Sequence, residues 1–206
     1  MRSLIIFISS FMLLIFFGGS AHAQTDLVDS VQNAYNGIKD VKGSFMQKSY
    51  IKELKRTDTY KGLFYIKPPK MRWEYRTEKP QIVYVTGDEI IIHQQKEKQA
   101  FISRFNRQTY GQAPIALLGG FGSIKDEFNV VEKKDRLVLK PKKHMNNIAS
   151  IEIVINQEGF PIKSMLIIDT RSNKIDITLS DVKTNTSLKD SLFEFAAPEG
   201  TAVIRH

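Results

Sequence analysis

Residues 62–75 read Gly62-Leu63-Phe64-Tyr65-Ile66-Lys67-Pro68-Pro69-Lys70-Met71-Arg72-Trp73-Glu74-Tyr75. Two apolar, aromatic runs flank a Lys-Pro-Pro-Lys break. Alternation at period two puts Leu63 and Tyr65 on one face of the first run, and Met71, Trp73 and Tyr75 on one face of the second. Phe64 and Ile66 fall on the opposite face of the first. Both faces therefore carry large apolar groups, more than a sheet packed on one side needs. Two readings are open: an ordinary core, and a curved sheet around a large apolar concavity.

The same period runs outward through most of the chain. Strands are expected at Gly43–Ile51, Thr59–Lys67, Arg72–Arg76, Gln81–Thr86, Glu89–Gln94, Gln99–Phe105, Glu127–Glu132, Arg136–Lys140, Ile148–Asn156, Ile162–Asp169 and Ile175–Val182. Turn signals such as Gly87-Asp88, Lys133-Lys134-Asp135 and Gln157-Glu158-Gly159 separate them. Hairpin-length loops argue for an antiparallel meander. About eleven strands are too many for a flat sheet, so a barrel or an open half-barrel is expected. No alternation of strands with helices supports a doubly wound fold.

Helical spacing appears twice. Leu27, Val28, Val31, Ala34, Tyr35 and Ile38 make one amphipathic stripe, with Asp26 as its cap and Gly37 near its end. Ala113–Leu118 is a short apolar segment with helical character, followed by Gly119-Gly120-Phe121-Gly122. Beside a curved sheet such a segment is a lid, a plug or plain core.

The N-terminus reads as an address. Arg2 precedes the 14-residue, mostly apolar stretch Leu4–Phe17, and Ala21-His22-Ala23 is a cleavage signal. As a helix the stretch spans ~21 Å, short of the ~30 Å hydrocarbon core of a bilayer. Residues 1–23 are expected to be removed as a signal peptide, leaving 24–206 as a single domain. A bacterial periplasmic location follows. The chain holds 206 residues with 30 Lys and Arg against 22 Asp and Glu, a formal +8, and no cysteine. Disulfides, thiolate metal sites and a cysteine nucleophile are thereby excluded.

The usual constellations for catalysis are missing. His93 and His144 stand 51 positions apart, and no H-x-x-x-H pair exists. Gly120-Phe121-Gly122 lacks the rest of a dinucleotide fingerprint, and no phosphate-binding loop or serine elbow is present. No metal, cofactor or catalytic residue is assigned. A secreted enzyme using dispersed carboxylates is the contrasting class. Lys133, Lys134, Lys140, Lys142 and Lys143 cluster in sequence, either as a solvated basic hairpin or as a surface steering toward an anionic partner. Export argues against nucleic acid.

Five blocks together resemble the outer-membrane lipoprotein carriers, the LolA-type periplasmic chaperones. They are Phe45-Met46-Gln47, the block 62–75 quoted above, Gln81–Asp88, Ala113–Leu118, and the ending Phe193-Glu194-Phe195-Ala196-Ala197-Pro198-Glu199-Gly200-Thr201-Ala202-Val203. The similarity runs from about Asp26 to Val203. It implies a mainly β fold with a few helices: an open antiparallel half-barrel capped by a helical lid, with an apolar cavity between. It also implies no enzymatic activity, a monomer without cofactor, and acylated lipoprotein cargo. The cargo would come from an inner-membrane ABC exporter complex and pass to an outer-membrane receptor. A carrier of another lipid, a glycolipid or a phospholipid, is the alternative on the same fold.

Under this resemblance the cavity wall is expected from Phe45, Leu63, Tyr65, Met71, Trp73, Ile115 and Leu118. The family's lid gate is a basic residue before the proline, usually Arg. Lys67 occupies that place here, a departure that replaces a planar fork with a compact ammonium. Two readings of Lys67 are open: a gate that holds the lid around Leu117–Gly119, and a plain exposed turn residue.

Overall fold

The computed structural model describes residues 26–77, 79–105, 124–145, 147–156 and 158–205. Helix α1, Leu27–Asn36, begins where the Asp26 carboxylate accepts the Val28 N–H at 2.9 Å and ends at Gly37. Its Val28 and Val31 are buried against the sheet. Glu132 accepts the Leu27 and Val28 N–H groups at 3.1 and 3.2 Å, so a carboxylate from a distant strand also serves the positive end of this helix.

The strands are β1 (Val41–Ile51), β2 (Arg56–Lys67), β3 (Lys70–Tyr75), β4 (Gln81–Thr86), β5 (Glu89–Gln94), β6 (Gln99–Arg104), β7 (Phe128–Lys133), β8 (Arg136–Pro141), β9 (Ile148–Ile155), β10 (Ile162–Asp169), β11 (Lys174–Thr184) and β12 (Ala202–Arg205). A four-residue helix α2, Ile124–Glu127, precedes β7. All twelve strands form one sheet in the order β12-β6-β5-β4-β3-β2-β1-β11-β10-β9-β8-β7. The sheet is open, with β12 and β7 at its edges. The mainly β, open antiparallel architecture expected from the sequence is therefore present. The eleven expected strands all occur, within a few residues of their expected ends. β12 is a twelfth, and it pairs parallel to β6.

The centre of the sheet depends on glycines. Phe45 stands opposite Gly62, and Gly43 opposite Phe64. A Cβ on Gly62 would lie 1.7 Å from the Glu74 carbonyl oxygen and 2.7 Å from the Phe45 ring. On Gly43 it would meet the Phe64 ring at 2.8 Å and the Ser180 carbonyl oxygen at 2.9 Å. Each ring thus occupies space beside a missing side chain. On the other side of β1, the pairing with β11 shifts register between Lys42 and Ser44, and Asp181 there has φ 52°. Such a bulge bends and twists the strand.

The sheet has two apolar faces. The inner face joins Phe45, Phe64, Trp73 and Val85 from one wing with Leu137, Ile151, Met165 and Ile177 from the other, and α1 packs on it. The outer face carries a smaller cluster of Ile82, Tyr84, Ile91 and Ile102. Its cover is the chain after β11, which crosses back over the sheet. Phe193, in the 3-10 turn Asp190–Phe193, is 1% exposed, and Phe195 packs on the outer cluster. The crossing ends when β12 joins β6, which supplies the long connection that a parallel pair needs.

Asp40 launches this crossing. It is buried, and its carboxylate accepts the Thr186 N–H and hydroxyl at 2.7 and 2.9 Å and the Leu188 N–H at 3.2 Å. These donors hold a turn in which Asn185 and Ser187 both take positive φ. Burial acts to raise the Asp40 carboxyl, but the hydrogen bonds from Thr186, Leu188 and Ser187 outweigh it, so it lies below 3.8.

Two outcomes are expected. Gly62→Ala should destabilise the fold by about 1–3 kcal/mol in urea unfolding, because the new methyl meets backbone that cannot yield. Asp40→Asn should cost about 1–3 kcal/mol at neutral pH by breaking charge-assisted bonds to a buried group. The folded-state value is depressed, so this stabilisation is present above the unfolded value and lost as pH falls through the lower folded one. The difference between wild type and variant should therefore shrink below pH 3.8.

Candidate functional site

The inner face is paved by rings. Phe45 stacks on Trp73 with centroids 4.0 Å apart, and Phe64 stacks on the same indole at 5.4 Å. Tyr75 meets Phe45 edge-on at 5.3 Å and Tyr60 edge-on at 5.8 Å. Such pairs add about 0.5–1.5 kcal/mol each beyond burial. Met71 and Ile66 continue the surface toward the Pro68-Pro69 hairpin, each 1% exposed. The Trp73 indole N–H has no partner in hydrogen-bond geometry. Burial pushes the Tyr75 hydroxyl well above the ordinary tyrosine range, so it is neutral at any physiological pH. The surface is apolar and uncharged.

The cavity residues expected from sequence divide into three groups. Phe45, Met71 and Trp73 stand together on the inner face. Leu63 and Tyr65 do not. Their register partners are Glu74 and Arg72 on β3 and Ser44 and Lys42 on β1, which places them on the outer face. The inner positions of β2 are Phe64 and Ile66, opposite Trp73 and Met71. Ile115 and Leu118 lie outside the described residues, as does the whole Ala113–Leu118 segment. The signal for Phe64 was in the hairpin. A two-residue turn at Pro68-Pro69 pairs Lys67 with Lys70 and so pairs Phe64 with Trp73.

Lys67 continues the alternation of Leu63 and Tyr65 and also faces outward. Its ammonium donates to the Leu188 carbonyl oxygen at 3.1 Å and pairs with Asp190 at 3.2 Å. Lys70 reaches the same carboxylate at 3.3 Å. These two lysines, Lys67 first, hold the Asp190 carboxyl below the ordinary aspartate value. Arg72 donates to the Leu192 carbonyl oxygen at 3.1 Å, pairs with Glu74 at 2.8 Å and lies 5.3 Å from the Tyr84 ring centroid. The described contacts of Lys67 are thus with the crossing segment. Leu117–Gly119, its expected partner, lies outside the described residues.

Elsewhere the ionisable groups are dispersed. His93 is buried against Phe195, with ring centroids 5.3 Å apart, and burial depresses its pKa. His144 is exposed. Among the described residues no cluster of three His, Asp or Glu is placed to hold a metal, and no helix is long and apolar enough to cross a membrane. The inner face is an uncharged apolar surface whose rings are buried and packed on one another.

Comparison with known proteins bears on this geometry. The family model of the outer membrane lipoprotein carrier protein LolA matches residues 36–196. The chain belongs to that family. Its curated relatives include an outer-membrane lipoprotein carrier protein of Nitrosomonas europaea, 28% identical over 149 residues, covering 70% of this chain and 71% of the relative. Another, from Legionella pneumophila strain Corby, is 24% identical over 200 residues, covering 94% and 96%. Among solved structures, an uncharacterized conserved protein from Thermus thermophilus superposes with a TM-score of 0.56 at 13% identity, covering 87% of this chain and 97% of its own. A LolA superfamily protein from Nitrosomonas europaea gives 0.50 at 10% identity, covering 82% and 96%. These two share the fold. LolA proteins are carriers rather than enzymes.

The role of Lys67 is open to a direct check. Lys67→Ala should speed hydrogen exchange at the Leu188–Leu192 amides several-fold, because the crossing segment loses two anchors. Exchange in β1 and β9 should stay unchanged.

Proposed function

We propose that this protein carries acylated lipoproteins across the periplasm, shielding their acyl chains on the inner face of the sheet. The observation that supports this most directly is the uncharged aromatic floor of Phe45, Phe64, Met71 and Trp73 in a chain of the LolA family. A 16-carbon acyl chain in water costs roughly 13 kcal/mol at ~0.8 kcal/mol per methylene. A lipoprotein with two or three such chains aggregates or returns to a membrane unless they are covered. The carrier must cover them and still release them, so its grip has to be moderate.

The protein reaches the periplasm by cleavage after Ala23. It receives cargo from an inner-membrane ABC exporter complex and delivers it to an outer-membrane receptor, acting as a monomer. In this reading the apolar segment Ala113–Leu118, which lies outside the described residues, supplies the lid, and Ile115 and Leu118 belong to the lipid-binding set. Covering apolar wall in the absence of cargo lowers its exposure to water, and release follows from a shift in the lid's population. Lys67 acts from the outer face, by holding the crossing segment.

Spheroplasts bearing a radiolabelled lipoprotein and the cognate exporter, incubated with the purified mature protein, test this reading. The expected result is soluble, acylated lipoprotein in a one-to-one complex. Leu118→Glu should abolish release by placing a charge against the chains. If the folded wild type releases nothing, the lipoprotein assignment falls. Mass spectrometry of lipid extracted from the protein then identifies a glycolipid or phospholipid cargo.

A further inference from the structure

Along the strands the inner face changes character. From Val41, Ile66, Met71, Val85 and Ile90 to Phe45 and Trp73 it is apolar and buried. Toward one end it turns polar: the row of Phe45 and Gly62 continues through Tyr75, Gln81, Gln94 and Gln99 across β3 to β6, and two residues further along β1 Gln47 pairs with Tyr60 on β2. Gln47 is buried, accepts the Tyr75 hydroxyl at 3.1 Å and donates to the Ser49 hydroxyl at 3.0 Å. A cleft of about 290 Å³ opens there, lined by Gln47, Ser49, Tyr60, Tyr75, Lys79 and Gln81. Tyr60 and Lys79 also line an adjoining groove of about 760 Å³ that runs along Arg56–Thr59. Tyr75, which lines the cleft, meets the Phe45 ring edge-on at 5.3 Å, so the polar cleft borders the apolar floor.

We propose that this glutamine and tyrosine rim is a binding site for the ester carbonyls of a diacylglyceryl head, seated where the acyl chains enter the apolar floor. The proposal rests on the carrier reading and adds to it the chemistry of the ligand's polar end. The donors at the rim are neutral amides and hydroxyls, which match carbonyl oxygens. The side chains of Gln81, Gln94 and Gln99 have no hydrogen-bond partner among the described residues, so their amides are available. A phosphate head calls for an arginine fork or several free cations. Here Arg56 in the groove is already paired with Asp58 at 3.0 Å, and Lys79 is the one cation lining the cleft among the described residues.

Two fluorescent probes test the site: a dipalmitoylglyceryl-cysteinyl peptide, and its dihexadecyl diether counterpart, which has the same chain length but lacks the ester carbonyls. Wild type should bind the diester about tenfold more tightly than the diether, a difference of about 1.4 kcal/mol. In the double variant Gln81→Leu, Gln94→Leu the preference should fall within twofold, with diether affinity unchanged. Equal binding of both probes by wild type, or a preference retained in the variant, overturns the proposal. Lipoprotein release from spheroplasts without any ester preference overturns the rim site alone. Failure of folded wild type to bind either probe removes the carrier reading and the rim site together.

Discussion

Two phenyl rings beside two glycines organise the whole molecule. Phe45 lies across from Gly62 and Phe64 across from Gly43, and neither glycine has room for a Cβ. Sheets lose side-chain packing at glycine, and a ring from the neighbouring strand restores it. With both rings turned to the same side, Trp73 stacks on each of them. That choice settles which face of β1, β2 and β3 is inner. Everything of the opposite parity, including Leu63, Tyr65, Lys67 and Arg72, is sent to the outer face.

The outer face then has its own requirement. Ile82, Tyr84, Ile91 and Ile102 need a cover, and the chain supplies one from its own end. Asp40 sets the turn, Lys67, Lys70 and Arg72 hold the segment by its carbonyl oxygens and Asp190, and Phe193 and Phe195 fill the apolar gap. Exposed ion pairs such as Lys70–Asp190 contribute little alone. The buried hydrogen bonds at Asp40 and the buried phenyl ring of Phe193 contribute more. The two faces differ: the outer face is covered by the chain's own crossing segment, and the inner face carries the apolar floor with polar residues at one end.

Much of this was legible in the residues. The stripe from Leu27 to Tyr35 with Asp26 before it is a helix, and eleven alternating segments are strands, because periodicity and capping are local properties. β12 was not legible as a strand. Four residues after a Pro-Glu-Gly turn carry little alternation, and their pairing with β6 depends on where the crossing segment lands. Phe45, Met71 and Trp73 share a face as expected, whereas Leu63 and Tyr65 do not. When both faces of a strand are apolar, period two says which residues go together but not which set faces the core. The hairpin register at Pro68-Pro69 contained the answer.

The residues alone specify the class of the molecule: a mainly β chain without cysteine, with an aromatic block too apolar for a one-sided sheet and a resemblance to lipoprotein carriers. These follow from composition, alternation and motif order, which do not require knowing what touches what. The facing of β2, the attachment of Lys67 to Leu188 and Asp190, and the placement of Gln47, Tyr60, Gln81, Gln94 and Gln99 on one face of the sheet come from the assembled fold. Those residues are far apart in the chain. A one-residue slip in any strand pair would scatter them to opposite faces, so their meeting is a property of the assembled sheet.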